Sequence, residues 1–288
     1  MRGFLAYGLR IRSQLDIPGA LADGAADAEV EITRASPSAA QSDRLYRFEG
    51  DELCFTAPGV AEYRCRPDQL RVTPHPAASE AEVTALLIAT ALPALLWMRS
   101  GFVLHAAAAH LPGWERAIAI AGPSGSGKST ILAQLVAAGA SILGDDTIAI
   151  DAAARPGEAC GLPGGYFLGG GERPRDFHAV PSDRGLVRDR LGAILILSRG
   201  GDPAPSFGRF TPVEAVAQLL AHRHRPRVPA LLGRHGATLA DSALLAATIP
   251  LYSWPRSAGP ELAAWEWAGL ARCAGQGVRD DGYGVAAQ

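Results

Sequence analysis

Apolar and polar residues alternate along the first 75 positions. The stretches FLAYGLRIRSQLDI, AEVEITRA, RLYRFEGDELCFTA and EYRCRPDQLRVTP each carry the two-residue period of a half-buried strand, with Gly, Pro, Asp and Ser between them. They predict a small, mostly antiparallel, β-rich N-terminal domain over residues 1–75. Pro74-His75-Pro76 reads as a linker, after which the pattern changes. Residues 83–98, VTALLIATALPALLWM, are apolar on almost every side, and Ser79 and Glu82 have the spacing of a capping box. This predicts a core helix buried on most faces and bent at Pro93. The run falls short of the roughly 20 residues a membrane-spanning helix needs.

Beyond residue 100, strand-like and helix-like segments alternate. Apolar runs at 102–110, 117–121, 141–150 and 192–198 predict strands with helices interposed, the order of an α/β nucleotide-binding core over 76–273. Residues 155–190 are rich in Gly, Pro and Arg and predict flexible loops near a site. TPVEAVAQLLAHRH predicts a helix with Thr211 as N-cap and Pro212 in its first turn. The tail at 274–288 predicts disorder.

Composition narrows the function classes. The net charge of −2 gives no general attraction to nucleic acid or to an anionic membrane, so neither is expected as a partner. His222-Arg223-His224-Arg225-Pro226-Arg227 is locally basic and reads either as a solvated loop or as a contact to an anionic substrate. Near the N-terminus, Arg10 and Arg12 interrupt the apolar run, which is too short and too charged for a secretory signal, so the expected location is cytoplasmic. Cys54, Cys65, Cys160 and Cys273 have no metal-ligand or disulfide-framework spacing and are expected as small buried residues.

The most specific motif lies in AIAIAGPSGSGKSTILAQL, residues 117–135, where a buried-strand pattern runs through a glycine turn into a helical one. Gly122, Pro123, Ser124, Gly125, Ser126, Gly127, Lys128 and Ser129 fit G-x-x-x-x-G-K-[ST], and the predicted nucleotide contacts run on to Thr130. In such a turn, backbone N–H groups and a helix N-terminus surround phosphate oxygens. The lysine pairs with the β and γ phosphates, and the following hydroxyl ligates Mg²⁺. ATP and Mg²⁺ are the expected cofactors. Lys128 is the only lysine in the chain; every other basic side chain counted with it is arginine.

A phosphate cradle alone implies only a nucleotide. SILGDDTIAI, residues 141–150, adds two adjacent carboxylates, Asp145 and Asp146. A strand that follows the P-loop helix is expected to return beside the P-loop strand, which brings both carboxylates to the Mg²⁺ and γ-phosphate. Neighbouring strand residues face opposite ways, so one is expected toward metal and the other toward an incoming hydroxyl. A carboxylate beside an acceptor hydroxyl is a kinase feature. His105, at a strand end, is either a structural residue or a group that stabilises phosphate charge or orients the aspartates.

The order His105, GPSGSGKS, LGDD resembles the catalytic core of HPr kinase/phosphorylase, a bacterial serine kinase with a P-loop, over roughly residues 100–215. YGLRIRSQLDIPGA, LHAAAA and IPLYSWPRS are similar to the HPr-kinase-related proteins of lasso-peptide gene clusters, which phosphorylate a serine at the end of the precursor peptide. The resemblance implies an α/β P-loop kinase core of HPr-kinase type with a small β-rich N-terminal domain. It implies His105 as an active-site histidine, Lys128 as the phosphate lysine, Ser129 and Asp145 as metal-side groups and Asp146 as the proton acceptor. It further implies a metal-binding glutamate and a later arginine, for which Glu172 and Arg209 are the candidates, and a homo-oligomer. The leading expectation is a Mg²⁺- and ATP-dependent serine kinase acting on a peptide or small protein. The alternative is a P-loop ATPase or nucleotide switch that regulates a partner protein.

Overall fold

The computed structural model describes residues 1–24, 27–40, 42, 44–99, 101–170, 173–198, 206–256 and 261–275. The expected tail lies outside the described residues from 276 onward. The alternating N-terminal stretches become β1 (Arg2–Ala6), β2 (Leu9–Ser13), β3 (Leu21–Ala22), β4 (Val30–Arg34), β5 (Tyr46–Glu49), β6 (Glu52–Ala57), β7 (Ala61–Cys65) and β8 (Gln69–Pro74). They form one sheet in the order β3-β1-β2-β4-β8-β7-β6-β5. Its two ends are antiparallel, but β2 with β4 and β4 with β8 are parallel, so the sheet is more mixed than the short strands implied. Long connections after β2 and β4 permit these parallel pairings.

Ser79 and Glu82 do form the capping box that opens α1 (Glu80–Leu86). The helix continues through a π-helical turn, Leu87–Ala91, into α2 (Leu92–Met98). Together Glu80–Met98 is long and apolar enough to cross a membrane, and more than half of its most apolar window lies buried inside the protein. It is held to the first sheet by the Tyr63 hydroxyl, which donates to Val83 O at 2.6 Å.

The second half contains β9 (Phe102–Leu104), β10 (Ala106–His110), β11 (Ala117–Ala121), α3 (Lys128–Ala137), β12 (Ser141–Gly144), β13 (Ile148–Ile150) and β14 (Glu158–Cys160). It continues with β15 (Gly165–Gly170), β16 (Arg173–Ala179), β17 (Asp189–Ser198), β18 (Gly208–Arg209), α4 (Pro212–Ala221), α5 (Arg227–Leu231), α6 (His235–Thr248), β19 (Leu251–Pro255) and α7 (Ala264–Cys273). The strands run β12-β10-β11-β17-β14-β13-β9, with β19 and then β18 also joined through β17. The fold class is thus mixed α/β. Residues 155–190 are more regular than expected, since they hold β14 and the antiparallel β15–β16 hairpin. Thr211 caps α4 in a box with Glu214, and Pro212 opens the helix, as its sequence predicts.

β11 shows how the sequence layers the molecule. Its alanines, Ala117, Ala119 and Ala121, face a core shared with Ile11, Ile32 and Tyr63 of the first sheet and Leu87, Trp97, Phe102 and Leu143. Its isoleucines, Ile118 and Ile120, face a second cluster with Ile131 and Leu135 of α3 and Leu195, Trp254 and Leu270. Small residues on one face admit close packing and large ones fill the other. The first cluster continues across residue 75. Cys54, Cys65 and Cys160 are buried thiols, and Cys273 is partly buried.

His110 closes the far end of β10. Its Nδ1 lies 2.5 Å from Asp189 Oδ2, and its Nε2 3.0 Å from Trp114 O. Burial pulls its pKa down, but the bonds to Asp189 and Trp114 outweigh burial and leave it raised. Because the folded-state value exceeds the unfolded one, the stabilisation is complete below the ordinary histidine range and fades as pH rises through the raised value. His110→Ala is expected to cost about 0.5–1.5 kcal/mol at pH 5.5 and less at pH 9. Denaturant midpoints of both proteins at the two pH values check this; an equal cost at both contradicts it.

Candidate functional site

The P-loop joins β11 to α3. Gly127, at φ 98°, stands in the left-handed region one residue before the helix begins. A Cβ on Gly122 would meet the Leu197 backbone oxygen at 3.2 Å and Ser126 Oγ at 3.0 Å, so only glycine lets the turn close on β17. Lys128 is buried and donates to Gly122 O at 3.0 Å and Pro123 O at 3.1 Å. Ser126 Oγ is buried without a hydrogen-bond partner. An orphaned hydroxyl inside a glycine cradle at a helix N-terminus fits a phosphate oxygen.

The carboxylates follow β12, which does not return beside β11. β12 pairs with β10, and β10 pairs with β11, so one antiparallel strand stands between them. β12 still runs parallel to β11 and ends at the same sheet edge, and the Ser129 hydroxyl donates to Asp145 Oδ1 at 3.0 Å. A different strand order thus brings Asp145 to the P-loop serine. Their divergence also has a different cause. Asp145 and Asp146 lie in a bend beyond β12, where Thr147 N–H donates to Asp145 O at 2.9 Å and Asp146 has φ 68°. A positive φ at the centre of an i→i+2 bond marks the rarer, strained hand of γ-turn, which throws adjacent side chains apart without strand alternation.

Their environments differ accordingly. Asp145 is buried, and its carboxylate accepts from Ser129, from Phe167 N–H at 3.1 Å and from Asp146 N–H at 3.0 Å. Burial, with the neighbouring Asp146 charge, raises its pKa against the lowering effect of those donors. Asp146 is 31 % exposed, with Oδ1 3.2 Å from His105 Nε2 and Oδ2 3.9 Å from His224 Nε2. The His105 and His224 rings stack at 5.4 Å. Burial pushes His224 down to about 4 despite Asp146, so at neutral pH it faces the carboxylate uncharged.

The buried helix fixes this wall. Trp97 Nε1 donates to His224 O at 2.8 Å, and Arg225 Nε donates to Ala89 O at 2.7 Å. Pro93 has no N–H for the carbonyl four residues back, which is that of Ala89, and Arg225 uses it instead. The π-helical turn Leu87–Ala91 ends just before Pro93, and its Ala89 carbonyl is the acceptor offered to the site wall.

His105, the P-loop, Ser129, Asp145 and Asp146 are brought together. Arg209 is not: it is exposed on β18, and β19 and β17 stand between it and β11. Glu172 lies outside the described residues. The cations at the site are Arg223 and Arg225, which with His105, Ser124, Asp146 and His224 line a depression of about 350 Å³. The basic run at 222–227 was the signal for them, and the structure turns it toward Asp146. Among the described residues no group of three or more His, Cys, Asp or Glu side chains is placed to hold a metal. Ser129 with Asp145 nonetheless fits Mg²⁺, which takes one or two protein oxygens and completes its shell with phosphate oxygens and water. In comparisons with known proteins, no family model and no curated protein matches the chain.

Proposed function

We propose that this chain is a Mg²⁺- and ATP-dependent kinase of HPr-kinase type that phosphorylates a serine hydroxyl of a peptide or small protein. The resemblance of the chain points to the C-terminal serine of a lasso precursor as the acceptor. One observation carries the reading: a P-loop serine is bonded to one aspartate while the adjacent aspartate is turned to a partly open face between two histidines. A GTPase-like switch needs only the first.

Bound ATP would supply the γ-phosphoryl group, and Mg²⁺ at Ser129 and Asp145 would neutralise part of its charge. The chain's own groups do the rest. Backbone N–H groups of 124–129 hold phosphate oxygens, and Lys128, Arg223 and Arg225 offset their charge. Asp146 receives the proton of the acceptor hydroxyl. His105 donates to Asp146 Oδ1 and fixes the carboxylate's orientation, while uncharged His224 leaves its basicity intact.

Incubation with [γ-³²P]ATP, Mg²⁺ and serine peptides tests the reading. Label on peptide is expected; release of free phosphate alone supports the switch instead. Ser129→Ala is expected to weaken nucleotide binding about tenfold with Mg²⁺ present and little without it. Titration calorimetry checks this, and equal losses under both conditions remove Ser129 from the metal.

A further inference from the structure

The first hairpin of the N-terminal sheet ends inside the catalytic half. Ala6 pairs with Leu9, so Tyr7 and Gly8 form a two-residue turn with φ 52° and 68°. Both positive values are those of a type I′ turn, in which the first position suits Asn, Asp or Gly far better than tyrosine. The tip is held firmly: Tyr7 N–H donates to Gly161 O at 2.7 Å, the Cys160 thiol to Tyr7 O at 3.0 Å and Arg188 Nη2 to Gly8 O at 2.6 Å. Tyr7 is 2 % exposed, and its buried hydroxyl lies within hydrogen-bonding reach of the Thr147 side chain. Burial and the charge of Asp146 hold that hydroxyl far above its ordinary pKa, so it remains a donor. A strained backbone is costly, and this one sits beside the candidate proton acceptor.

Tyr7 borders a cavity of about 210 Å³. Asp145, Asp146 and Thr147 form its polar end, and Pro18, Ala85, Ile88, Ala89, Leu162 and Phe167 form apolar walls. Asp146 lines both this cavity and the basic depression with Ser124, Arg223 and Arg225, so it stands between an anion-binding side and an apolar side. A sugar would leave most of its hydroxyls unpaired against such walls, and an acidic side chain would be desolvated next to two carboxylates. An aliphatic side chain beside a single hydroxyl meets neither penalty.

We propose that this cavity is the acceptor subsite: it takes an aliphatic side chain next to the acceptor serine of a peptide, with the Tyr7 turn forming one of its walls. The inference rests on the kinase reading of Asp146, and it makes the N-terminal hairpin a specificity element.

The test uses the full chain and two fluorescein-labelled octapeptides, each with one serine, flanked on both sides by leucine in one and by aspartate in the other. Anisotropy is expected to show the leucine peptide bound at least about tenfold tighter. Ala85→Trp, at an exposed helix position on the cavity wall, is expected to weaken the same peptide by blocking entry. Equal affinity for the two peptides, binding of neither, or an unchanged affinity in Ala85→Trp overturns the proposal. If the binding pattern holds while no label reaches the leucine peptide, the subsite stands and the kinase reading falls.

Discussion

Asp146→Asn is expected to lower phosphoryl transfer to peptide by about 10²–10⁴-fold while leaving nucleotide affinity in Mg²⁺ near that of the wild type. The amide keeps the size of the carboxylate and can still accept from His105, but it cannot take a proton. The substitution is also well matched to the backbone. Asp146 sits at φ 68°, where asparagine is among the residues that tolerate the left-handed region, so loss of fold does not confound the result. Asp145→Asn gives the contrasting outcome. Three donors converge on Asp145, and an amide turns an N–H₂ toward at least one of them, so nucleotide binding should need more Mg²⁺ and the fold should weaken. Transfer rates with labelled ATP, and calorimetric nucleotide titrations over a Mg²⁺ series, separate the two. Wild-type transfer by Asp146→Asn with loss in Asp145→Asn reverses the roles; unimpaired transfer in both removes the kinase reading.

The P-loop was legible because its chemistry is local. Glycines, one lysine and one hydroxyl at fixed spacing define the turn without reference to the rest of the chain, and the flanking strand and helix are where the periodicity puts them. Asp145 and Asp146 were legible as a pair for the same reason. The route by which they arrive was not, since strand order depends on which edges pair. β10 occupies the place beside β11 because its alternating alanines pack against both cores. No two-residue period states which neighbour a strand will choose.

Arg209 illustrates the opposite failure. Order along the chain points to it, but the two-residue strand that carries it pairs at the sheet's outer edge. Arg223, Arg225 and His224 reach the site through contacts distant in sequence, to Ala89 and Trp97, which one residue type cannot announce in isolation. Tyr7 is the extreme case. Its stretch shows only strand alternation and part of the resemblance, because its role depends on a hairpin tip from the first sheet docking on Gly161, more than half the chain away.

Lys128→Ala and Lys128→Arg are both expected to lose about 10²–10³-fold in transfer, the effect of removing one preorganised charge from a developing transition state. The arginine result is the informative one, because it preserves charge. Lys128 is 6 % exposed, its ammonium directed to the carbonyls of Gly122 and Pro123. The loop is so close to β17 that even a methyl group on Gly122 would touch Leu197. A planar guanidinium with five donors in a fixed fork is larger than the ammonium and cannot address those two carbonyls and a phosphate oxygen in turn, as a compact rotating group can. Overpacking of a tight turn adds to the loss. A chain that uses arginine everywhere else and lysine here already reports the direction of the effect. Peptide phosphorylation by Lys128→Arg at the wild-type rate would contradict it. The single lysine also permits a direct check on the wild type: its ε-amine, the only one in the chain, should be shielded from an amine-reactive reagent by ATP, which intact-mass spectrometry reads as loss of one adduct.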